Sequence, residues 1–416
     1  MGKLAITGGK KIREGKAWPK WPVITAKERA AVLDVLDSGK WWWGDKVKEF
    51  EGKFAAFQDA KYGISCVNGT AALEICCVAA GIGAGHEVIT TPYTFVGTAA
   101  AILRANAIPV FADVEPETMN LDPSKIEAAI TPRTKGIMPV HFGGLPCDME
   151  KINKIAKKHN LVVIEDACHA WGTKFNGKGA GALGDLGAFS FQMSKNITAA
   201  EGGIVLSDNE LLADAARSYA NVGRGKGGGW YQHFRLGTNY RMTELQAALL
   251  LSGLTRLKAQ TKKRQENAEY LNEELSRIPG LKILREDKRA NPRSYHLYGF
   301  RFIADEWEGV TRAQFVKAMS AEGVGLSTGY PYPLYKNPMF IESRKGARGC
   351  PRTCPYLEGH EIDYTKANCP GAEQVCREIL WFSQVVLLGS RSDMKDIVKA
   401  AKKVRDNIAE ARAIQV

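Results

Sequence analysis

Lys195 stands in the run Phe189-Ser190-Phe191-Gln192-Met193-Ser194-Lys195-Asn196-Ile197-Thr198, between an aromatic-rich apolar stretch and Glu201-Gly202-Gly203. A lysine in a dry site or beside other cations has a lowered pKa, and its neutral amine can attack a carbonyl. The same segment also suits a surface loop. Upstream, Val163-Ile164-Glu165-Asp166-Ala167-Cys168-His169 is an apolar run that ends in acids and a histidine. An Asp at the carboxyl end of a strand could pair with a protonated ring nitrogen, hold a metal or cap the next helix.

Asn68-Gly69-Thr70-Ala71-Ala72-Leu73 reads as a strand ending in a helix start. Gly69 permits close backbone approach, and a helix N-terminus offers free N–H groups and positive dipole to a phosphate. A plain strand-to-helix turn satisfies the same residues. Pro92-Tyr93-Thr94-Phe95-Val96 follows another strand, and Phe95 could cover a flat ring or belong to the core. Cys350, Cys354, Cys369 and Cys376 match no paired Cys-x-x-Cys zinc spacing, so ordinary thiols and no metal are expected.

The elements that would hold these residues are legible as alternation. Short apolar runs at Ile64–Val67, Glu87–Thr90, Ile108–Val114, Gly136–Val140, Leu161–Glu165, Ala188–Phe191 and Gly203–Leu206 read as strands, with helical stretches between most of them. Such alternation predicts a mainly parallel sheet covered on both faces. A helical pattern from Thr243–Leu257 continues with interruptions to Ile278. Beyond it, His296–Ile303 and Val385–Leu388 read as strands, and Thr311–Glu322 and Asp393–Ala411 as helices; Tyr330–Gly371 reads as irregular. The reading divides the chain into an N-terminal arm (1–22), a large domain (23–260) and a smaller α+β domain (261–416). The arm, with Trp18-Pro19-Lys20-Trp21-Pro22, is expected to lie over another surface, such as a second subunit.

The chain has 416 residues, 45% hydrophobic and 25% charged, which is ordinary globular composition. Lys plus Arg total 57 against 45 Asp plus Glu, a net charge of +12. The basic residues are scattered, with no nucleic-acid signature, so the excess reads as a solvated surface with some attraction for anions. Nine cysteines without a framework, and no signal-like or membrane-spanning apolar stretch, predict a reduced, cytoplasmic protein.

Taken in order, these segments closely resemble the DegT-type sugar aminotransferases, a branch of the fold-type-I pyridoxal-phosphate (PLP) enzymes. The resemblance rests on Asn68–Leu73, Pro92–Thr98, Thr131–Lys135, Pro139-Val140-His141, Ile164–Ala170, Phe189–Gly203 and Asn239–Gln246. It implies a large domain with a mainly parallel seven-stranded sheet and a smaller C-terminal domain. It implies Lys195 as the Schiff-base lysine and proton shuttle, and Asp166 as partner of the pyridinium nitrogen. His169 would sit near the ring's phenolic oxygen and Phe95 would stack on the ring. Gly69, Thr70 and Ser190 would bind the phosphate. Asn239 would reach the phosphate of a neighbouring subunit, making the site a property of a homodimer. His141 stays open between a site residue and a packed structural one.

Within the family, Trp18–Pro22, Gly39-Lys40-Trp41-Trp42, Ile137–His141 and Ser190-Phe191-Gln192 look most like the L-glutamine:scyllo-inosose aminotransferases and 3-amino-5-hydroxybenzoate synthase. The implied reaction moves an amino group from glutamine or glutamate to a keto-cyclitol or keto-sugar, in amino-sugar or aminocyclitol antibiotic biosynthesis. A nucleotide-linked keto-sugar acceptor, and a dehydrating or aromatising PLP enzyme, are the alternatives. Lys195 stands where PLP-dependent sugar dehydratases carry histidine. A non-catalytic regulatory homologue fits poorly with Lys195, Asp166 and Ser190 all present.

Overall fold

In the computed structural model, which describes residues 2–341 and 362–416, the strands are β1 (Tyr62–Cys66), β2 (Glu87–Thr90), β3 (Ile108–Phe111), β4 (Thr134–Met138), β5 (Val162–Asp166), β6 (Lys174–Phe175), β7 (Lys178–Gly179), β8 (Leu186–Ser190), β9 (Gly203–Ser207), β10 (Leu281–Ile283), β11 (Leu297–Phe302) and β12 (Ile379–Ser383). Seven of them form one sheet in the order β1-β9-β8-β5-β4-β2-β3. β9 runs against both neighbours; the other pairs are parallel. The central strands are buried along nearly their whole length, which is why they read as continuous apolar runs rather than alternating ones. β6 and β7 form a small antiparallel ribbon.

β10-β11-β12 form a second, antiparallel sheet. Its core gathers Phe300, Phe302, Trp307, Phe315 and Phe382 with Met394, Ile397 and Val404 of the helix Arg391–Asp406. One helix, Glu244–Leu275, links the two sheets' layers without the expected interruptions. Thr243 starts it with a reciprocal capping box to Gln246. At 1.5 Å per residue it spans roughly 48 Å. It packs on helices Ala26–Ser38 and Asp45–Phe57 at one end and on Arg391–Asp406 at the other.

Two expected elements differ. Val385–Leu388 is a single 3-10 turn over Val386–Leu388, and the strand lies earlier, at Ile379–Ser383. The run is apolar because Leu387 is fully buried, while the Asn267 side chain donates to the carbonyls of Leu387 and Gly389. A side-chain amide thus does part of what a neighbouring strand would do. The closing helix breaks at Asn407, whose side chain bonds the Lys403 carbonyl, before a short Ile408–Arg412 segment.

The N-terminal arm lies on its own chain. Leu4 is fully buried in the core of the second sheet's unit, and Arg13 pairs with Asp393 and Asp396 at 2.7 and 3.2 Å. Trp21 Nε1 donates to the carbonyl of Met193, two residues before Lys195. Of the stretch Tyr330–Gly371, expected to be irregular, residues 342–361 lie outside the described residues. The rest holds short turns at Leu334–Lys336 and Tyr364–Lys366 and a four-residue helix at Pro338–Ile341, and its end enters the helix Pro370–Glu378. Cys350 and Cys354 lie outside the described residues; Cys369 and Cys376 are buried free thiols. No helix among the described residues is long and apolar enough to cross a membrane.

Candidate active site

β1, β2, β5 and β8 end at the same edge of the large sheet, and the residues just past them line one cavity of about 890 Å³. Gly69, Thr70, Phe95, Asp166, His169, Ser190 and Lys195 all border it. This edge is where open α/β sheets bind ligands.

The helix Gly69–Ala79 begins at the cavity. Asn68 Oδ1 accepts the Ala71 N–H at 2.8 Å, and the Asn68 carbonyl accepts that of Ala72. The N–H groups of Gly69 and Thr70 are left for a ligand. A Cβ on Gly69 would lie 2.6 Å from Ser190 Cβ, so only glycine lets this turn close against the end of β8. Phe95 keeps 60% of its surface exposed, an unusual state for a core phenylalanine, with its ring close to Gly97 and the cavity.

Asp166 is buried at the end of β5. Its Oδ2 accepts from Thr98 Oγ1 at 2.7 Å and its Oδ1 from the Cys168 N–H at 3.2 Å. Thr98 in turn pairs with Thr94 at 2.9 Å. The carboxylate is thus aimed by neutral donors and, among the described residues, is paired to no cation.

Lys195 is half-buried, with its Nζ 5.8 Å from the Trp171 ring centroid. Burial lowers its pKa from the usual 10.5, against the opposing pull of Cys168, Asp166 and Glu201. His169 and His296 face each other with ring centroids 4.4 Å apart. Burial, with the positive charge of Lys195, holds both well below the usual 6.5. Asn196 fixes the turn after Lys195: its Nδ2 donates to the Ser294 carbonyl at 2.9 Å and its Oδ1 meets His296 Nδ1 at 3.1 Å. An amine that sheds its proton easily, an oriented carboxylate and a helix N-terminus around one cavity can hold an anionic, carbonyl-bearing ring and move protons beside it.

Two sequence candidates lie elsewhere. His141 is fully buried outside the cavity, bonded through Nε2 to Glu165 at 2.7 Å, and its Nδ1 accepts the Cys147 N–H. Asn239 is exposed, bridges to Asn221 and does not border its own chain's cavity, although Tyr240 beside it does. Sequence reasoning missed Asn196, His296, Tyr330 and Trp381. Thr98 ends the segment Pro92–Thr98, and nothing in its local spacing pointed to Asp166. His296 opened an expected strand, but nothing in its spacing pointed back to Lys195.

The chain matches the DegT/DnrJ/EryC1/StrS aminotransferase family over residues 22–360. It is 40% identical to the spore coat polysaccharide biosynthesis protein SpsC of Bacillus subtilis, covering 92% of this chain and 95% of that one. It is 33% identical to the L-glutamine:2-deoxy-scyllo-inosose aminotransferase of Streptoalloteichus tenebrarius, covering 99% of each. Among solved structures, 3-amino-5-hydroxybenzoic acid synthase superposes with a TM-score of 0.83 at 32% identity, over 93% of this chain and 98% of that one. The residues at the cavity fit the family's cofactor: a helix N-terminus with free N–H groups, a turn too tight for a Cβ, a carboxylate with no cationic partner among the described residues and a half-buried amine whose pKa is lowered. The chain belongs to the DegT/DnrJ/EryC1/StrS aminotransferases and is a pyridoxal-phosphate-dependent transaminase.

Proposed function

We propose that this enzyme transfers an amino group from glutamine or glutamate to a keto-cyclitol or keto-sugar, with Lys195 as the reacting amine. The observation that carries the residue roles is the meeting of Lys195, whose pKa burial lowers, with Asp166 and the Gly69–Thr70 turn around one cavity. When bound, the cofactor supplies an aldehyde carbon that condenses with amines and a ring that takes up an electron pair. Gly69, Thr70 and Ser190 would bind its phosphate, Phe95 would cover its face and Asp166 would accept from its ring nitrogen. His169 accepts the Gly143 N–H through Nδ1 at 3.3 Å, so its Nε2 carries the hydrogen and would donate to the cofactor's phenolic oxygen. Lys195 Nζ takes the proton from the donor's Cα in the first half-reaction. In the second it gives a proton to the acceptor carbon that receives nitrogen.

The cyclitol acceptor is supported by the inosose aminotransferase relative, and a sugar acceptor by the polysaccharide-biosynthesis relative. We read the enzyme as a homodimer in which Asn239 serves the partner's site. We also read it as cytoplasmic, where the seven free cysteines among the described residues stay reduced.

The test is borohydride reduction of the purified holoenzyme, then peptide mass spectrometry. The cofactor is expected on Lys195, with Lys195→Ala unlabelled and inactive. Label on another lysine would overturn the assignment. A pyridoxamine-form half-reaction screen against inososes and keto-sugars then identifies the acceptor.

A further inference from the structure

Part of the cavity wall comes from the unit built on the second sheet. His296 and Leu297 contribute at the start of β11, Trp381 in β12, and Tyr330 from the loop before residue 341. Tyr330 and Trp381 meet edge to face, 5.8 Å between centroids at 75°. Tyr93 and Phe142 stand behind them and do not border the cavity. Tyr93 lies 5.3 Å from Tyr330, and Phe142 lies 6.2 Å from Tyr330 and 5.8 Å from Trp381. Phe142 also touches the His169 ring at 5.6 Å, so the aromatic group is continuous with the site.

The two layers differ in burial. Tyr93 and Phe142 are 1% and 0% exposed, whereas Tyr330 and Trp381 are half-buried and border the cavity. A group serving only as core would be sealed on both sides; this one leaves aromatic surface where a substrate must pass. The front layer is also closely packed and tied in place. Gly329, at φ +72°, has no room for a Cβ, which would lie 2.6 Å from Tyr93 Oη and 2.9 Å from Trp381 Cζ3. Arg312 Nη1 donates to the carbonyls of Thr328 and Ile379, tying the loop that carries Tyr330 to the strand that carries Trp381.

We propose that Tyr330 and Trp381 form the platform that receives the ring of the amino acceptor and selects a six-membered polyhydroxylated ring over an open-chain keto acid. The inference rests on the transaminase reading above. Cyclitols and pyranoses carry their C–H bonds on flat faces and their hydroxyls around the rim. Such a face suits an aromatic surface with a polar surround, while an open-chain keto acid has no ring to lay there.

The test uses holoenzyme, with Tyr330→Leu, Trp381→Leu and Trp381→Phe. The pyridoxamine form is reacted with 2-deoxy-scyllo-inosose and a nucleotide-linked 4-keto-hexose. The open-chain comparison is the 2-oxo acid of whichever of glutamine and glutamate serves as donor. The ratio of kcat/KM for the cyclic ketone to that for the 2-oxo acid is expected to fall about tenfold in the leucine variants, with Trp381→Phe retaining more of it than Trp381→Leu. A ratio unchanged from wild type, whether both rates fall or both hold, overturns the platform and leaves the transaminase reading intact. A wild type inert toward glutamine and glutamate overturns that reading and this inference with it.

Discussion

His169 and His296 illustrate how burial decides a residue's protonation. Both are enclosed beside Lys195 and kept neutral, with pKa values well below the usual 6.5. Asn196 turns its Nδ2 to the Ser294 carbonyl, so its Oδ1 accepts from His296 Nδ1. The unfolded chain takes up protons on both rings as pH falls through 6.5, and the folded chain does not. Their contribution to stability is therefore complete above that pH and is lost below it, at up to about 1.4 kcal/mol per pH unit for each ring. Denaturant titrations of the apoenzyme at pH 7.5 and 5.5 are expected to show this loss, with a shallower pH dependence in His296→Gln. Equal slopes in the two proteins would show that His296 is not held neutral by the fold.

The helix Gly69–Ala79 shows one element serving stability and binding together. Asn68 caps it, and the same geometry frees the Gly69 and Thr70 N–H groups. Asn68→Ala is expected to cost about 1 kcal/mol of stability and to weaken cofactor affinity. Asn68→Asp is expected to keep the stability, since aspartate caps as well, but to bind cofactor worse than the alanine variant because it sets a negative charge beside a phosphate. Melting temperatures and PLP titrations of the three proteins separate these effects. An aspartate variant that bound cofactor like wild type would remove the phosphate from this helix. The turn at Val386–Leu388 gives the opposite lesson about elements. Apolar runs announce burial, and only the partner of the backbone decides whether they pair as strands.

For the whole molecule, the proposal to test is the shared site. Trp230, Tyr231, Phe234 and Leu236 are 78%, 78%, 61% and 93% exposed, just before Asn239, which is the kind of surface a second subunit covers. Mixing Lys195→Ala with Asn239→Ala protomers tests it. If Asn239 serves the partner, each mixed dimer contains one intact site. Random exchange then restores roughly a quarter of wild-type activity from two impaired parents. If Asn239 acts within its own chain, mixing restores nothing.

The seven strands of the large sheet, the helix starts after Asn68 and at Thr243, and the placing of Asp166, Ser190 and Lys195 near strand ends were legible from the amino-acid sequence, whereas the two- and three-residue strands β6, β7 and β10 were not, and the last strand was expected at Val385–Leu388. Each legible feature depends on hydrophobic runs and residues a few positions apart, and such short-range patterns survive in a linear reading. The family resemblance rests on those same segments. What surrounds Lys195 was decided by tertiary structure. Thr98 meets Asp166 across 68 positions and His296 meets Asn196 across 100. The sheet order β1-β9-β8-β5-β4-β2-β3 sets strand ends beside one another that are far apart along the chain. Tyr330 and Trp381 reach the cavity from a different sheet, through packing that no local period encodes.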